Sequence, residues 1–405
     1  MSLEKTKRKL NNKNIYNNGN IVIVFSIIIS LLIAIFAYFY IPKMAAESYI
    51  KDESPNEKET LTETVPEPEK IIVSHIETPD SVKAVYMSSW VAGTKSIREK
   101  VIALIDETEI NAVVIDIKDY TGKISFTPKN GTLLAYGSSE RRIADIDALI
   151  EELHSKNIYV IGRVAVFQDP HMTKTHPEYA VKTASNKNLV WKDDKGISWL
   201  DAGAEDVWEY SALIGEEGYS RGFDEINYDY IRFPSDGNMK DIYFPYSEGK
   251  IKSEVVKGYF EFLKMRFALQ KIPISADLFG MVTTNHDDLG IGQILENGLA
   301  NFNFVAPMVY PSHYPDGWNG FSNPAANPYD VIKLSMGPAI TRAEAMGLTK
   351  ENLRPWIQDF NLGATYTAEM VRAQITALDD LGIDSWMLWD PSNTYTEGAL
   401  KKESE

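Results

Sequence analysis

Apolar positions after residue 82 fall into short runs that alternate with helical repeats. Several gaps between the runs repeat apolar residues every three or four positions, as in SIREKVIALIDET, DIDALIEELHSK and AEMVRAQITALDDLG, which indicates amphipathic helices. Eight strand-like runs alternating with such helices predict parallel βα units closed into a (β/α)8 TIM barrel over residues 83–399. The runs lie at 84–89, 112–118, 159–166, 225–231, 273–279, 304–310, 354–358 and 385–389.

An open doubly wound sheet is the alternative arrangement of the same elements. Nucleotide-binding sheets of that type carry a glycine-rich phosphate turn after a strand, and no such turn follows any of the eight runs. The longest gap, residues 167–223, is too long for a plain connection. We expect it to form one wall of a cleft and to contain a short helix that begins near Ala204.

One apolar run, residues 21–41, has a different length and setting. Its 21 residues contain no charge, which is enough to cross the hydrocarbon core of a bilayer. A secretory signal peptide has a shorter apolar region, roughly 7–15 residues, and the following PKMAAES is a poor cleavage site. Residues 1–20 carry five basic residues and one acidic residue. The sequence therefore predicts a cytoplasmic tail (1–20), an uncleaved signal anchor in the cytoplasmic membrane (21–41) and an extracellular remainder.

Residues 42–82 are predicted to be an acidic, proline-containing linker between the anchor and the barrel. Residues 51–80 contain nine acidic residues, three lysines and four prolines, with few large apolar side chains. Such a segment buries too little apolar surface to fold alone, so we expect a disordered stalk.

Charge and composition narrow the classes of partner and cofactor. The net charge is −16, which argues against nucleic acid and against strongly anionic polymers as main partners. Cysteine is absent, and the six histidines form no His-x-His or His-x-x-x-His pair, so the sequence implies neither a metal nor another cofactor. The acidic segment NHDDLG (285–290) lacks the ligand spacing of an EF-hand.

Polar and aromatic residues accumulate where the predicted strands end, which is where barrel enzymes place their active sites. Carboxylates with many Tyr and Trp side chains suit carbohydrate chemistry, in which two carboxyl groups flank the glycosidic bond. The candidate catalytic residues are Asp229, Asp277 and Asp116. The candidate substrate-binding residues are Trp90, Lys118, Arg163, Tyr310, His313, Tyr314, Gln358 and Trp389.

Each catalytic candidate has a competing interpretation. Asp229 is a nucleophile or general base, or else a partner in an ion pair with Arg163 or Arg232. Asp277 is a general acid, or a carboxylate that positions a neighbour. Asp116 is a rival candidate for the acid. Lys118 on the same strand face would favour the ionised form of Asp116 and make it a poor acid. At about 3.3 Å per residue, Glu225 lies about 13 Å below Asp229 and is predicted to belong to the barrel floor.

Five segments carry a resemblance to a known family. FDEINYDYIRFPSDG, ISADLFG, VAPMVYPSHYPDGW, RPWIQDF and SWMLWDPSNTY occur in that order and resemble motifs of a family of inferred glycoside hydrolases, long catalogued as a domain of unknown function. The resemblance covers residues 83–395 and implies a (β/α)8 barrel distantly similar to the α-amylase group. In that group an aspartate ending the fourth strand is the nucleophile, which corresponds to Asp229. The acid is usually a glutamate ending the fifth strand, where this chain has Asp277.

We therefore predict a membrane-anchored extracellular glycoside hydrolase that acts on a polysaccharide through Asp229 and Asp277. A non-catalytic carbohydrate-binding protein on the same barrel is the first alternative, because a fold does not prove an activity. A polysaccharide deacetylase or another metal hydrolase is the second, and the scattered histidines disfavour it.

Overall fold

The computed structural model describes residues 73–402. The predicted cytoplasmic tail, the predicted anchor at 21–41 and the linker up to residue 72 lie outside the described residues. Within 73–402, no helix has both the length and the apolar character needed to cross a bilayer.

Eight parallel strands close into a barrel in which each strand pairs with its neighbours in sequence and the last pairs with the first. The predicted barrel is therefore confirmed, and the open doubly wound sheet is excluded. The strands are β1 (Lys83–Met87), β2 (Ala112–Lys118), β3 (Tyr159–Ala165), β4 (Glu225–Asp229), β5 (Ile274–Phe279), β6 (Phe304–Met308), β7 (Trp356–Gln358) and β8 (Trp386–Trp389).

Helices cover the outside of the barrel. The three helices predicted from the apolar repeats are confirmed, at Lys95–Glu107, Ile146–Ser155 and Ala368–Asp379. The helices are α1 (Ser89–Ala92), α2 (Lys95–Glu107), α3 (Gly131–Ala135), α4 (Ile146–Ser155), α5 (Met172–Thr175), α6 (Glu205–Arg221), α7 (Lys252–Ala268), α8 (Leu295–Asn301), α9 (Pro328–Ala345) and α10 (Ala368–Asp379).

The strands separate two apolar regions because side chains alternate across a sheet. On β2, Val113 and Ile115 belong to the large cluster packed against the helices, whereas Ala112 and Val114 belong to a smaller cluster inside the barrel. The inner cluster gives way to polar residues towards the carboxyl ends of the strands, which is where a site can open.

The long segment after β3 is only partly a loop. α6 begins at Glu205 with Ala204 as its N-cap residue, so the predicted start is correct, but the helix has 17 residues and is not short. Its buried residues, including Val207 and Ile214, pack on the outside of the barrel, so α6 is the helix that connects β3 to β4. Before it, Lys182–Thr183 pairs antiparallel with Ile242–Tyr243 and forms a small second sheet.

The described end of the predicted linker is packed on the amino-terminal ends of β3 and β4. The backbone N–H of Ile76 donates to Asp224 Oδ1 (2.7 Å), and Thr78 Oγ1 lies 2.9 Å from the hydroxyl of Tyr159. His75 stacks on Tyr219 with ring centroids 3.8 Å apart. The acidic composition of residues 51–80 as a whole conceals this apolar stretch, so the folded unit begins before residue 83.

Glu225 lies in the barrel floor, as predicted. It is fully buried, and Arg354 Nη1 donates to its two carboxylate oxygens at 2.8 and 3.0 Å. Ser275 Oγ donates to Oε1 at 2.6 Å. The buried charge is paired and hydrogen-bonded, which is the condition under which a carboxylate is tolerated inside a protein.

Candidate active site

Asp229 is the last residue of β4, and the chain turns sharply directly after it. Tyr230 has a left-handed backbone conformation (φ 53°), which is uncommon for a residue with a bulky side chain. This turn brings the N–H of Tyr230 to 2.5 Å from Asp229 Oδ1. The strand therefore stops where its terminal carboxylate faces the mouth of the barrel.

Arg163 on β3 links two of the candidate carboxylates. Its Nε and Nη2 donate to Asp229 Oδ2 at 3.1 and 2.5 Å, and its Nη1 donates to Asp116 Oδ1 at 2.6 Å. Arg163 as a residue is only 5 % exposed, so these charge-assisted hydrogen bonds form away from bulk water. The ion pair between Asp229 and Arg163 anticipated from the sequence is therefore present.

Asp116 does not line the cleft. Arg163 occupies Oδ1, and the hydroxyl of Tyr86 donates to Oδ2 at 2.5 Å. Burial raises the pKa of Asp116, and the contacts with Arg163 and Tyr86 act in the opposite direction. With both oxygens engaged below the cleft, Asp116 positions Arg163 and is not placed to touch a substrate.

Asp277 lies on β5, the strand next to β4. Asn227 Nδ2 and Trp356 Nε1 donate to its Oδ1 at 2.9 and 2.8 Å, so Oδ2 is the oxygen left for a proton. Burial and the nearby negative charge of Asp229 raise the pKa of Asp277 to about 8. At neutral pH this carboxyl group therefore retains its proton.

The carboxyl groups of Asp229 and Asp277 face each other across Arg163. Nε of Arg163 is 3.1 Å from Asp229 Oδ2 and 3.9 Å from Asp277 Oδ2, so these two oxygens are at most about 7 Å apart. The two carboxyl groups thus lie close enough to flank a single glycosidic bond.

A cleft of about 490 Å³ opens above this pair. Burial, together with the charges of Asp277 and Asp229, raises the pKa of Tyr310, so its hydroxyl stays protonated and can donate to a ligand. Of the predicted substrate-binding residues, Arg163, Tyr310, His313, Tyr314 and Trp389 line this cleft.

Three other predicted binding residues lie outside the cleft. Trp90 is 59 % exposed near the carboxyl end of β1, with the guanidinium of Arg142 4.6 Å from its ring centroid. Gln358 is buried, and its Oε1 accepts from the N–H of Ser312 at 3.1 Å, which holds the loop after β6.

Lys118 is the third, and its position corrects the expectation that it shares a face with Asp116. The pairing of β2 with β3 is irregular between Asp116 and Lys118, so Lys118 lies opposite Val164, which packs outwards. Its ammonium group is 2.8 Å from Asp169 Oδ2 and donates to the carbonyl of Ala165 at 2.5 Å. Arg163, and not Lys118, is the cation beside Asp116.

Sequence reasoning missed several residues that shape the site. Asn227 is on the same strand face as Asp229, and pairing β4 with β5 would have placed it beside Ser275 and Asp277. Nothing local to the sequence marks Trp356, which reaches Asp277 from β7, or Tyr86, which reaches Asp116 from β1. Within residues 73–402, no three His, Asp or Glu side chains form a group that could hold a metal ion.

Comparisons with known proteins identify a family and a related fold. A family model described as "Putative glycosyl hydrolase domain" (DUF4015) matches residues 84–395. The glycoside hydrolase domain of PgaB (BpsB) from Bordetella bronchiseptica has 13 % sequence identity and a TM-score of 0.56, covering 79 % of this chain and 99 % of that domain. At that identity, the likeness shows a shared fold.

A second solved structure is a hypothetical protein from Ruminiclostridium thermocellum. It is 31 % identical with a TM-score of 0.42, and the match covers 51 % of this chain and 98 % of that protein. A search of functionally curated proteins gave no match.

Proposed function

Because the chain belongs to the DUF4015 family of glycosyl hydrolase domains, we propose that it hydrolyses a polysaccharide with Asp277 as general acid and Asp229 as nucleophile or general base. The observation that carries the proposal is the pairing of two carboxyl groups in different states within one cleft. Asp277 is desolvated and has its pKa raised to about 8, whereas Asp229 accepts hydrogen bonds from a guanidinium group. Environments that separate two carboxyl groups in this way assign acid and base roles.

The proposed reaction divides between the two groups. Oδ2 of Asp277 donates its proton to the glycosidic oxygen as the bond from that oxygen to the anomeric carbon breaks. As a base, Asp229 removes a proton from the water that attacks the anomeric carbon. As a nucleophile, it forms a glycosyl ester, which water then hydrolyses while the ionised Asp277 takes up a proton from that water and Asp229 is released. Its Oδ1 accepts only the backbone N–H of Tyr230 among the described residues, so this oxygen has lone pairs left for the reaction.

The stereochemical outcome depends on the separation of the carboxyl groups. Retaining enzymes hold them about 5 Å apart and inverting enzymes roughly 6.5–9.5 Å apart. The upper limit of about 7 Å set by the two distances from Arg163 Nε is compatible with retention and with the short end of the inverting range.

We further propose that residues 21–41 anchor the enzyme in the cytoplasmic membrane, with its barrel outside the cell. The uncharged apolar run and the basic tail before it support this orientation. A polymer at the cell surface would then be the substrate.

One observation favours a non-catalytic carbohydrate-binding protein instead. Both donors on one edge of Arg163 occupy Asp229 Oδ2, so this oxygen is engaged in a structural ion pair and not free to react. Such a protein would bind a glycan through the aromatic residues of the cleft and leave it intact.

Hydrolysis of a panel of polysaccharides by the full-length chain in detergent tests both functions. Asp229→Asn and Asp277→Asn should each lower the release of reducing ends by roughly 10²- to 10⁴-fold, the usual contribution of acid–base and nucleophilic groups. Asp384→Asn, at an exposed position, is the matched control. Unchanged release by Asp229→Asn would remove that residue from the mechanism. Binding without release by the wild type would favour the non-catalytic alternative.

A further inference from the structure

Arg232 is a buried cation at the side of the cleft that has no carboxylate partner among residues 73–402. Its side chain is held between aromatic rings, with the guanidinium carbon 4.7 Å from the ring centroid of Trp199 and 4.6 Å from that of Phe279. The residue is 8 % exposed and lines the cleft. Burial lowers its pKa, because a charge removed from water loses hydration.

The nearby acidic residues do not satisfy this charge. Asp229, Asp236 and Asp193 act on Arg232 only at longer range, since no acidic oxygen of the described residues lies within 4.0 Å of its nitrogens. Asp229 is already paired with Arg163, and Asp193 accepts from the indole N–H of Trp199 at 3.0 Å.

One edge of the Arg232 guanidinium has no hydrogen-bond partner among residues 73–402. Nη1 donates to the carbonyl of Phe233 (2.9 Å) and to Ser235 Oγ (3.2 Å). Nε and Nη2 donate to nothing in the described chain, and neither is sealed from solvent. Arg342 shows what this edge can do, since its Nε and Nη2 bind the two oxygens of Glu296. Two parallel N–H groups match a carboxylate in the same way.

A second cation reaches the same cleft from the segment between β3 and α6. Lys195 lies in a turn that Asp193 organises by accepting from the N–H groups of Lys195 (3.0 Å) and Ile197 (2.8 Å). Lys195 is exposed, forms no ion pair with a described residue and lies close enough to His313 to act on its charge. Two cations on different loops therefore line the cleft without an ion-pair partner in the described part of the chain.

We infer that the substrate is an acidic polysaccharide, and that a sugar carboxylate, as in a uronic acid, binds the Nε–Nη2 edge of Arg232 with Lys195 beside it. This inference rests on the proposed function and specifies its substrate class. A carboxylate would supply the counter-charge that the buried guanidinium lacks, whereas a neutral sugar would leave it unpaired. The negative charge of the whole molecule opposes acidic polymers at long range, so recognition would depend on this local pair of cations.

The test compares polymers that differ only in the carboxylate. Full-length protein is given polygalacturonate, alginate and hyaluronan, each beside its carboxyl-reduced form, in which the acid is converted to a neutral alcohol with the linkage retained. The expected result is a kcat/KM at least roughly 30-fold higher for one acidic polymer than for its reduced form, the effect of a desolvated charge pair.

Variants assign the preference to the two cations. Arg232→Gln should remove most of the roughly 30-fold preference, and Lys195→Ala should reduce it about 2- to 5-fold, as for an exposed pair. Lys192→Ala, an exposed lysine near the same turn that does not line the cleft, should leave it unchanged. Because Lys195 is exposed, its variant remains informative if Arg232→Gln folds poorly.

The outcomes separate this inference from the proposed function. Equal cleavage of an acidic polymer and its reduced form, or a preference for neutral, sulfated or phosphorylated polymers, would overturn the carboxylate assignment and leave the hydrolase proposal in place. If no polymer is cleaved, the hydrolase proposal fails. Calorimetric titration with the acidic and the reduced oligosaccharides then tests whether the cleft binds a sugar carboxylate. Tighter binding of the acidic form that Lys195→Ala weakens would support it, and equal or absent binding of the two would refute it.

Discussion

Asp277 is the residue whose protonation should control the pH dependence of the enzyme. The proposed reaction needs this carboxyl group protonated, and burial with the neighbouring Asp229 raises its pKa to about 8. As the pH rises through that value, the proton is lost and the general acid disappears. We therefore expect kcat/KM to fall about tenfold per pH unit above pH ~8. Initial rates between pH 6 and 10 measure this limb, and constant kcat/KM up to pH 10 would contradict it.

Trp356 allows the contacts of Asp277 to be tested without removing the carboxyl group. The indole N–H of Trp356 donates to Asp277 Oδ1, and this hydrogen bond lowers the pKa of Asp277. Trp356→Phe should therefore move the alkaline limb of the rate profile to higher pH, by about one unit or less.

Trp386 provides the matched control for that substitution. It is also fully buried, on the adjacent strand β8, but its indole nitrogen has no hydrogen-bond partner among residues 73–402. Trp386→Phe should lower the free energy of unfolding by a similar amount, because both changes reduce a buried ring, and leave the alkaline limb in place. Equal shifts in the two variants would mean that packing, and not the hydrogen bond, sets the pKa of Asp277.

At the scale of elements, side chains of β2 alternate between the two faces of the sheet along most of the strand, and the alternation breaks at its carboxyl end. Strict alternation puts Asp116 and Lys118 on one face, yet the irregular pairing with β3 turns Lys118 outwards to Asp169. The strands themselves were predictable because each is a compact apolar run bounded by turns and helices. A one-residue shift of register within a strand depends on its partner, so the strand's own sequence does not reveal it.

The same limit applies to the candidate site. Asp229, Asp277 and Arg163 were predictable as candidates because they lie at or near the carboxyl ends of adjacent barrel strands, where polar groups have a reason to gather. Trp356 was not, because its indole spans the inside of the barrel from β7 to reach a carboxyl group on β5. Contacts across the barrel follow from three-dimensional packing, which a single sequence does not display.

The outward position of Lys118 has a consequence for stability. Lys118→Met would leave the carboxylate of Asp169 buried without its cation, and breaking a buried ion pair typically costs about 3–5 kcal/mol. Lys192→Met, at an exposed position, should change the free energy of unfolding by less than about 0.5 kcal/mol. Denaturant titrations measure both. A loss below about 1 kcal/mol in Lys118→Met would contradict the buried pair.

At the scale of the whole molecule, the proposed anchor predicts how the protein fractionates. The full chain should remain with the membrane after an alkaline wash, and protease added to intact cells should digest its barrel, because residues 21–41 would hold it there with the carboxyl-terminal part outside. A chain beginning at Ile71, where the compact unit starts, should be recovered in the soluble fraction. Release of the full chain by the wash, or protection of its barrel in intact cells, would refute the proposed topology.

The packing of residues 75–78 against Asp224 and Tyr159 determines where any tether joins the barrel. These contacts lie at the amino-terminal ends of the strands, whereas Asp229 and Asp277 lie towards the opposite ends. The described start of the chain, residues 75–78, therefore lies at the end of the barrel opposite the cleft and leaves the entrance of the cleft uncovered. A polymer approaching that entrance would not have to displace residues 75–78 before it reached Asp229 and Asp277.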